Sequence, residues 1–295
     1  MSIRVYVGGQ ICAPELAKVS VFDRGFLYGD SVYETIGTVR GRLFAFAEHL
    51  ERLERSAQRI GLRMPPRSEV AQAILDTIKA SENAESRVRV MLTRGAGKMD
   101  LDPASVDDTQ LVVIVSPLAA PTPEMYEKGV SVAVVSVHRN SPQAMDPSVK
   151  SGNYLNNVLA LGEARRRSGA YEAILCASDG TIAEGATSNV FVIQGGQVQT
   201  PALEVGILDG ITRSKVIELC ETNGIPILQT RITPRELRDA DEVFITSATR
   251  GVLPVTRVDD DVVGAGVPGP VTTRLTQLYN DLTYRGDNEP NAKPF

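Results

Sequence analysis

Apolar and polar positions alternate at the start of the chain, with Ile3, Val5 and Val7 on one side and Ser2, Arg4 and Tyr6 on the other, ahead of Gly8-Gly9. That period of two predicts a strand closing into a tight turn. Residues 19–39, VSVFDRGFLYGDSVYETIGTV, are rich in β-branched and aromatic side chains and broken by Gly25 and Gly29. They predict strand, glycine loop, strand, and Gly41 predicts a hairpin into RLFAF. The period then lengthens. Leu50, Leu53, Ala57 and Ile60 share one face of a helix over 47–60, and a second helix fits 68–80. SRVRVMLTRG (86–95) and QLVVIVSPL (110–118) return to strand alternation. AAPTPEMYEKG (119–129), with two prolines and little periodicity, is expected to be an interdomain linker. Beyond it come a strand at SVAVVSV and a helix over 153–168 expected to turn Leu155, Val158, Leu159 and Leu161 inward. EAILCAS, TIAEGATSNVFVIQ and GQVQTP predict a strand meander. A helix at ITRSKVIELCETNG, a strand at DEVFITSA and a last helix over 270–284 complete the order. The expected fold class is α+β, with a small domain over 1–118, the linker, a larger domain over 130–285 and a frayed polar tail over 286–295.

Composition narrows the function. With 295 residues the chain suits two ordinary domains, and 42% hydrophobic against 23% charged residues is a soluble globular profile. The balance of 31 Lys+Arg against 36 Asp+Glu gives −5, which disfavours a nucleic-acid surface. No apolar run approaches the ~20 residues of a membrane span. The N-terminus lacks signal-peptide features, so a cytoplasmic protein is expected. Cys12, Cys176 and Cys220 are widely spaced and form no metal pattern, and His49 and His138 are too few for a histidine-based metal site, so no metal is expected.

Lys150, in DPSVKSGNYLNN (146–157), sits where small and amide residues follow before a helix-like run. A lysine nucleophile needs a lowered pKa or a carbonyl partner, and its best-known use is a Schiff base to pyridoxal 5′-phosphate. That cofactor also needs an arginine or helix N-terminus for its phosphate, a carboxylate for its pyridine nitrogen and a donor for its phenolate oxygen. LDGITR offers the N–H groups of Gly210, Ile211 and Thr212. Glu184 is a carboxylate between a strand and a small-residue turn, Arg52 lies on the shoulder of the 47–60 helix, and Tyr154 follows the lysine. Taken singly these are a surface lysine, a helix entry, a solvated turn, an intrahelical pair with Glu48 and a core aromatic.

Their order changes that. EHLERL, VKSGNYLNN, EGATSNVF, LDGITR and DEVFITSA in succession resemble the class IV (fold type IV) pyridoxal-phosphate aminotransferases over about residues 3–284. That family includes branched-chain and D-amino-acid aminotransferases, (R)-selective amine transaminases and aminodeoxychorismate lyase. The resemblance implies a two-domain α+β enzyme with a small N-terminal α/β domain and a larger domain with a mixed, barrel-like sheet. It implies that Lys150 forms the Schiff base and shuttles the proton between substrate Cα and cofactor C4′. Glu184 would pair with the pyridine nitrogen, Arg52, Ile211 and Thr212 would hold the phosphate, and Tyr154 would bond the phenolate oxygen. A turn at Ser247, Ala248 and Thr249 would lie against cofactor and substrate. Ala248 replaces a threonine common in relatives, leaving Ser247 or Thr249 to supply the hydroxyl. The small residues at 151–152 would leave room for the cofactor ring.

Subtype signals are mixed. Branched-chain relatives read V-F-E-G-I-R, where this chain has Thr35 and Gly37 at the glycine and arginine positions. GDSVYE (29–34) is closer to the D-amino-acid branch, yet near GAGKMDL (95–101) only Lys98 is basic. Arg89 falls where branched-chain enzymes have a carboxylate arginine, and Arg87 lies two residues away on the same strand face. Solvent-facing arginines on an edge strand are the ordinary alternative. Arg24 and Arg250 are weaker candidates. Tyr28, Tyr33 and Thr35 are expected to line the substrate pocket. In relatives the loop around Tyr28 enters the neighbouring subunit's site, which implies a homodimer. The expected activity is transfer of an amino group between a small amino acid, D-type favoured, or a primary amine and a 2-oxo acid. A branched-chain L-specific transaminase and a lyase, the latter suggested by Thr35, stand as alternatives. A non-catalytic scaffold is disfavoured by the intact Lys150, Glu184 and Arg52.

Overall fold

A computed structural model of the chain describes residues 2–106 and 108–285. Two compact units emerge. Among the described residues, one holds residues 2–106, 108–119, 149–153 and 283–285; the other holds Ala120–Ser148 and Tyr154–Leu282.

In the first unit, β1 (Arg4–Val7) and β2 (Gln10–Cys12) form a hairpin. Its turn, Gly8-Gly9, takes φ of 58° and 79°, which glycine adopts without a Cβ clash. There follow α1 (Arg24–Tyr28), β3 (Ser31–Val39), β4 (Arg42–Leu43), α2 (Phe46–Arg59), α3 (Arg67–Ser81), β5 (Ser86–Thr93) and β6 (Gln110–Pro117). The sheet order is β2-β1-β6-β5-β3-β4 and every pairing is antiparallel. Alternation sorts its faces. Val32 and Ile36 of β3, Val88, Val90 and Leu92 of β5, and Val113 and Val115 of β6 pack with Leu50, Leu53 and Ala57 of α2 and Val70 and Ile74 of α3. Tyr33, Thr35, Arg87, Arg89 and Met91 carry the opposite phase.

The second unit contains α4 (Pro123–Lys128), β7 (Val130–Val134), α5 (Leu155–Ser168), β8 (Glu172–Cys176), β9 (Ile182–Gly185), β10 (Asn189–Gln194), β11 (Gln197–Pro201), α6 (Ile211–Thr222), β12 (Ile227–Thr230), α7 (Pro234–Arg238), β13 (Glu242–Ser247), β14 (Gly251–Val258), β15 (Asp261–Val262) and α8 (Pro270–Arg285), whose last residues fall to the first unit. Nine strands form a curled, half-barrel mixed sheet in the order β12-β11-β10-β13-β14-β7-β8-β9, with β15 on β14. The pairs β11–β12, β14–β7 and β7–β8 are parallel. The fold is α+β, as expected. Phe191 of β10 stacks on Phe244 of β13 at 4.6 Å between centroids in its core.

Several local expectations change. Residues 19–22 form no strand, and residues 24–28 are helical. Asp23 accepts from Gly25 N and Thr93 Oγ1, both at 2.7 Å, capping α1, and Gly29 ends it in the left-handed conformation. The stretch expected to be a linker carries α4, begun by Pro123. Strand β5 is not an edge, because β6 and β3 flank it. In α5, Leu155, Val158 and Leu159 are 70%, 61% and 52% exposed, not inward. The inward face is made of Asn157, Ala160 and Ala164, with the two alanines packed on Ala133, Ala173 and Leu175. Small residues let the helix approach the sheet closely, and Asn157 Nδ2 donates to Ala186 O at 2.7 Å. The tail 286–295 lies outside the described residues. Among the described residues, no helix is long and apolar enough to cross a membrane.

Candidate active site

Lys150 is fixed by its backbone. Its carbonyl accepts from Tyr33 N at 2.9 Å, Gly152 N donates to Ser31 O at 2.8 Å, and Ser151 bridges Val32. Lys150 N donates to Ser56 Oγ of α2 at 3.2 Å. The lysine segment is thus stitched to β3 on one side and α2 on the other. A Cβ on Gly152 would lie 2.1 Å from Ser31 Oγ. The missing side chain at Gly152 leaves space that the Ser31 hydroxyl approaches.

The side chain of Lys150 places Nζ 4.8 Å from the centroid of Tyr33, and Arg89 Cζ lies 3.8 Å from the same centroid. Tyr33 is 3% exposed. The register opposes Tyr33 to Met91, Thr35 to Arg89 and Gly37 to Arg87, so the two arginines run down the strand from the tyrosine. Arg89 Nε points at Met91 Sδ at 3.4 Å. Among the described residues no carboxylate lies within ion-pair distance of Lys150, Arg87 or Arg89. Arg24 and Arg250 differ. Arg24 is buried against Asp30 and Asp100, and Arg250 binds Glu172, Ser247 and Thr187. Both are hydrogen-bonded to internal oxygen partners. Tyr28 closes α1 with Arg24 Cζ 5.2 Å from its ring.

Arg52 is buried on α2, one turn before Ser56. Its Nε and Nη2 bond Glu34 Oε1 and Oε2 at 2.6 and 2.8 Å, and His49 Nδ1 lies 2.8 Å from Glu34 Oε2. Burial alone would raise the Glu34 pKa. The charges and hydrogen bonds of Arg52 and His49 outweigh it and hold the carboxyl well below its usual range.

The second unit supplies a carboxylate and a helix start. Glu184, on β9, is 6% exposed rather than a solvated turn residue. It accepts from Arg139 Nε at 2.7 Å, Leu208 N at 3.0 Å and Asn189 Nδ2 at 3.4 Å. Asn189 Nδ2 also donates to Leu208 O at 3.0 Å. Leu208 leads directly into α6, whose N-cap, Gly210, provides no side-chain cap. A Cβ there would sit 1.9 Å from Asn189 Oδ1, so a larger residue would displace the Asn189 side chain. Thr212 is buried, its Oγ1 3.4 Å from Tyr279 OH, and burial pushes the Tyr279 phenol up to about 12. Tyr154 precedes α5, half-buried. Ser247 ends β13, and Ala248 and Thr249 form the turn into β14.

Each unit by itself offers group types that pyridoxal phosphate uses. In the first, Lys150 has, among the described residues, no carboxylate within ion-pair distance; in the second, Glu184 is a buried carboxylate that accepts from Arg139, Asn189 and Leu208 N, and the Gly210 N-cap of α6 makes no side-chain cap hydrogen bond. Sequence reasoning missed Glu34, His49, Arg139 and Asn189. Glu34 left a signal, because it shares the core phase of Val32 and Ile36, where a charge demands a partner. Arg139 left none, since no periodicity surrounds it.

The chain is similar to known proteins over most of its length. The sequence profile of the family described as Amino-transferase class IV matches residues 31–258. The chain is 34% identical over 281 residues to a putative branched-chain-amino-acid aminotransferase of Methanocaldococcus jannaschii, covering 95% of this chain and 96% of that one. It is 34% identical over 282 residues to a D-alanine aminotransferase of Bacillus licheniformis, covering 95% and 97%. The crystal structure of the Escherichia coli branched-chain amino acid aminotransferase superposes with a TM-score of 0.91 at 31% identity, covering 96% of this chain and 95% of that one.

Proposed function

The chain belongs to the class IV aminotransferases, a family that works with pyridoxal phosphate, and from that premise we propose that it exchanges an amino group between a small amino acid, D-type favoured, or a primary amine and a 2-oxo acid. The observation that carries this reading is the Tyr33 ring, which has the amine of Lys150 and the guanidinium of Arg89 both against it. An amine beside a cation, with no acid partner among the described residues, suits an amino-acid substrate.

When bound, pyridoxal phosphate supplies an electron sink that makes the substrate Cα–H acidic. Lys150 would hold the cofactor, and its side-chain amine would serve as the base that takes the substrate Cα proton. Glu184 keeps the ring nitrogen protonated, aligned by Arg139, Asn189 and Leu208 N. Arg52 would hold the phosphate from the first unit, and the N–H groups of Ile211 and Thr212, with Gly210 before them, are the phosphate-binding candidates of the second unit. Tyr154 donates to the phenolate oxygen. The turn at Ser247, Ala248 and Thr249 borders cofactor and substrate. Arg89 receives the substrate carboxylate, Arg87 extends the positive strip, and Tyr28, Tyr33 and Thr35 shape the pocket.

Half-reactions test both the class and its handedness. D-alanine and (R)-1-phenylethylamine are expected to convert the bound cofactor, and L-leucine not. Conversion by L-leucine alone selects the second reading, a branched-chain L-transaminase, which the relative from M. jannaschii and the placing of Arg89 favour. Arg89→Ala is expected to raise KM for amino acids by about tenfold, the loss of a charge-assisted hydrogen bond, and to leave the plain amine unchanged. An equal change for both moves the carboxylate site off Arg89.

The enzyme is also proposed to work as a homodimer. Support comes from two exposed apolar stretches: Leu155, Val158 and Leu159 on α5, and Leu16, Val19, Val21, Phe22 and Phe26 in the first unit. Sedimentation equilibrium is expected to give twice the chain mass of 31.8 kDa. A single-chain mass at micromolar concentration would remove the proposal.

A further inference from the structure

We propose that Glu34 is a positioning residue for cofactor phosphate binding, fixing the direction in which Arg52 presents its guanidinium. The inference rests on the reading that Arg52 holds the phosphate.

Glu34 occupies a place that the pattern of β3 reserves for an apolar side chain. Val32 and Ile36, on either side in the same phase, are core residues, and Glu34 is 0% exposed. A carboxylate there loses its hydration and is tolerated only when both oxygens are satisfied. Both are: Oε1 accepts from Arg52 Nε, and Oε2 accepts from Arg52 Nη2 and faces His49 Nδ1. The two Arg52 bonds take one edge of a planar group. They therefore set the direction of the opposite, Nη1 edge as well. An arginine carries substantial rotamer freedom, which this fork restricts before any ligand arrives.

The direction is set relative to the lysine. Arg52 and Ser56 are one turn apart on α2, and Ser56 Oγ accepts from Lys150 N. Glu34 adjoins Tyr33, whose N–H binds the Lys150 carbonyl and whose ring meets Lys150 Nζ. One strand thus braces the arginine through residue 34 and the lysine through residue 33. A cofactor held covalently at its aldehyde and ionically at its phosphate needs those two grips in a fixed register. An ion pair serving only the core has no such requirement.

The test compares two probes, pyridoxal 5′-phosphate and pyridoxal, titrated into the full-length chain after cofactor removal. The ratio of their dissociation constants isolates the phosphate grip, and pyridoxal controls for folding. Arg52→Ala is expected to lose most of the preference for the phosphorylated probe. Glu34→Gln is expected to lose about tenfold of it while pyridoxal binding stays unchanged, and to add nothing in the Arg52→Ala background. If Arg52→Ala keeps the preference, the phosphate role of Arg52 falls and this inference with it. If Arg52→Ala loses it and Glu34→Gln keeps it, only the role of Glu34 is overturned. Should circular dichroism show Glu34→Gln unfolded, Glu34→Asp, which keeps the charge and shortens the reach, is measured the same way. Equal loss of both probes in that variant marks Glu34 as a stabiliser of the core alone and overturns the inference.

Discussion

Lys150→Ala is expected to abolish turnover, by more than about a thousandfold, because on the proposed function one side chain both anchors the cofactor and moves the proton. The fold should survive. The segment is held by backbone bonds to Tyr33, Ser31 and Ser56, none of which involves the lysine amine. The variant is therefore expected to unfold at the same temperature as the parent when both are free of cofactor. It is also expected to lose the visible absorption of the lysine-bound cofactor. Added methylamine should restore little, because the proton must be delivered at a fixed place. Retained turnover with retained absorption would mean that another amine does this work.

Glu184→Gln should slow turnover by more than about a hundredfold while the cofactor stays attached. Glutamine keeps the shape and can still accept from Leu208 N, but it lacks the charge that holds a proton on a ring nitrogen. It also leaves Arg139 facing a neutral amide, so some stability is lost. A buried charge stripped of its partner costs several kcal/mol, about 3–5 in measured cases, and Arg139, at 15% side-chain exposure, falls toward that range. The catalytic effect is separated from the structural one by single-turnover rates on cofactor-saturated protein. An unchanged rate of proton transfer would remove Glu184 from the chemistry.

Much of the architecture was legible because the periodicity was strong where one face meets a core. The helix now α2 repeats its apolar side chains at helical spacing, and β5 alternates through eight residues. The two failures share a cause. Val19, Val21 and Phe22 look like strand, and Leu155, Val158 and Leu159 look like a buried helix face, yet all six are exposed in the single chain. Apolar patterning reports that a surface wants cover, not what covers it. On α5 the true inward face is alanine and asparagine, too weakly apolar to compete in a sequence reading. The candidate site was legible mainly through the order of its motifs. Lys150 carries no local sign of its role, and Arg52 suggested a helical pair with Glu48. The brace from Glu34 depends on strand and helix meeting across sequence separations of 15 and 18, which pattern alone cannot supply. Arg139, the partner of Glu184, depends on folding across a separation of 45.

The most direct test of the account is chemical trapping. The purified chain is saturated with pyridoxal phosphate, reduced with borohydride and digested, and the modified peptide is sequenced by mass spectrometry. The account predicts a stable phosphopyridoxyl adduct on the peptide containing DPSVKSGNYLNN, at Lys150, and its absence from Lys150→Ala. An adduct confined to Lys98, Lys128 or another lysine, or no adduct at all, would contradict it.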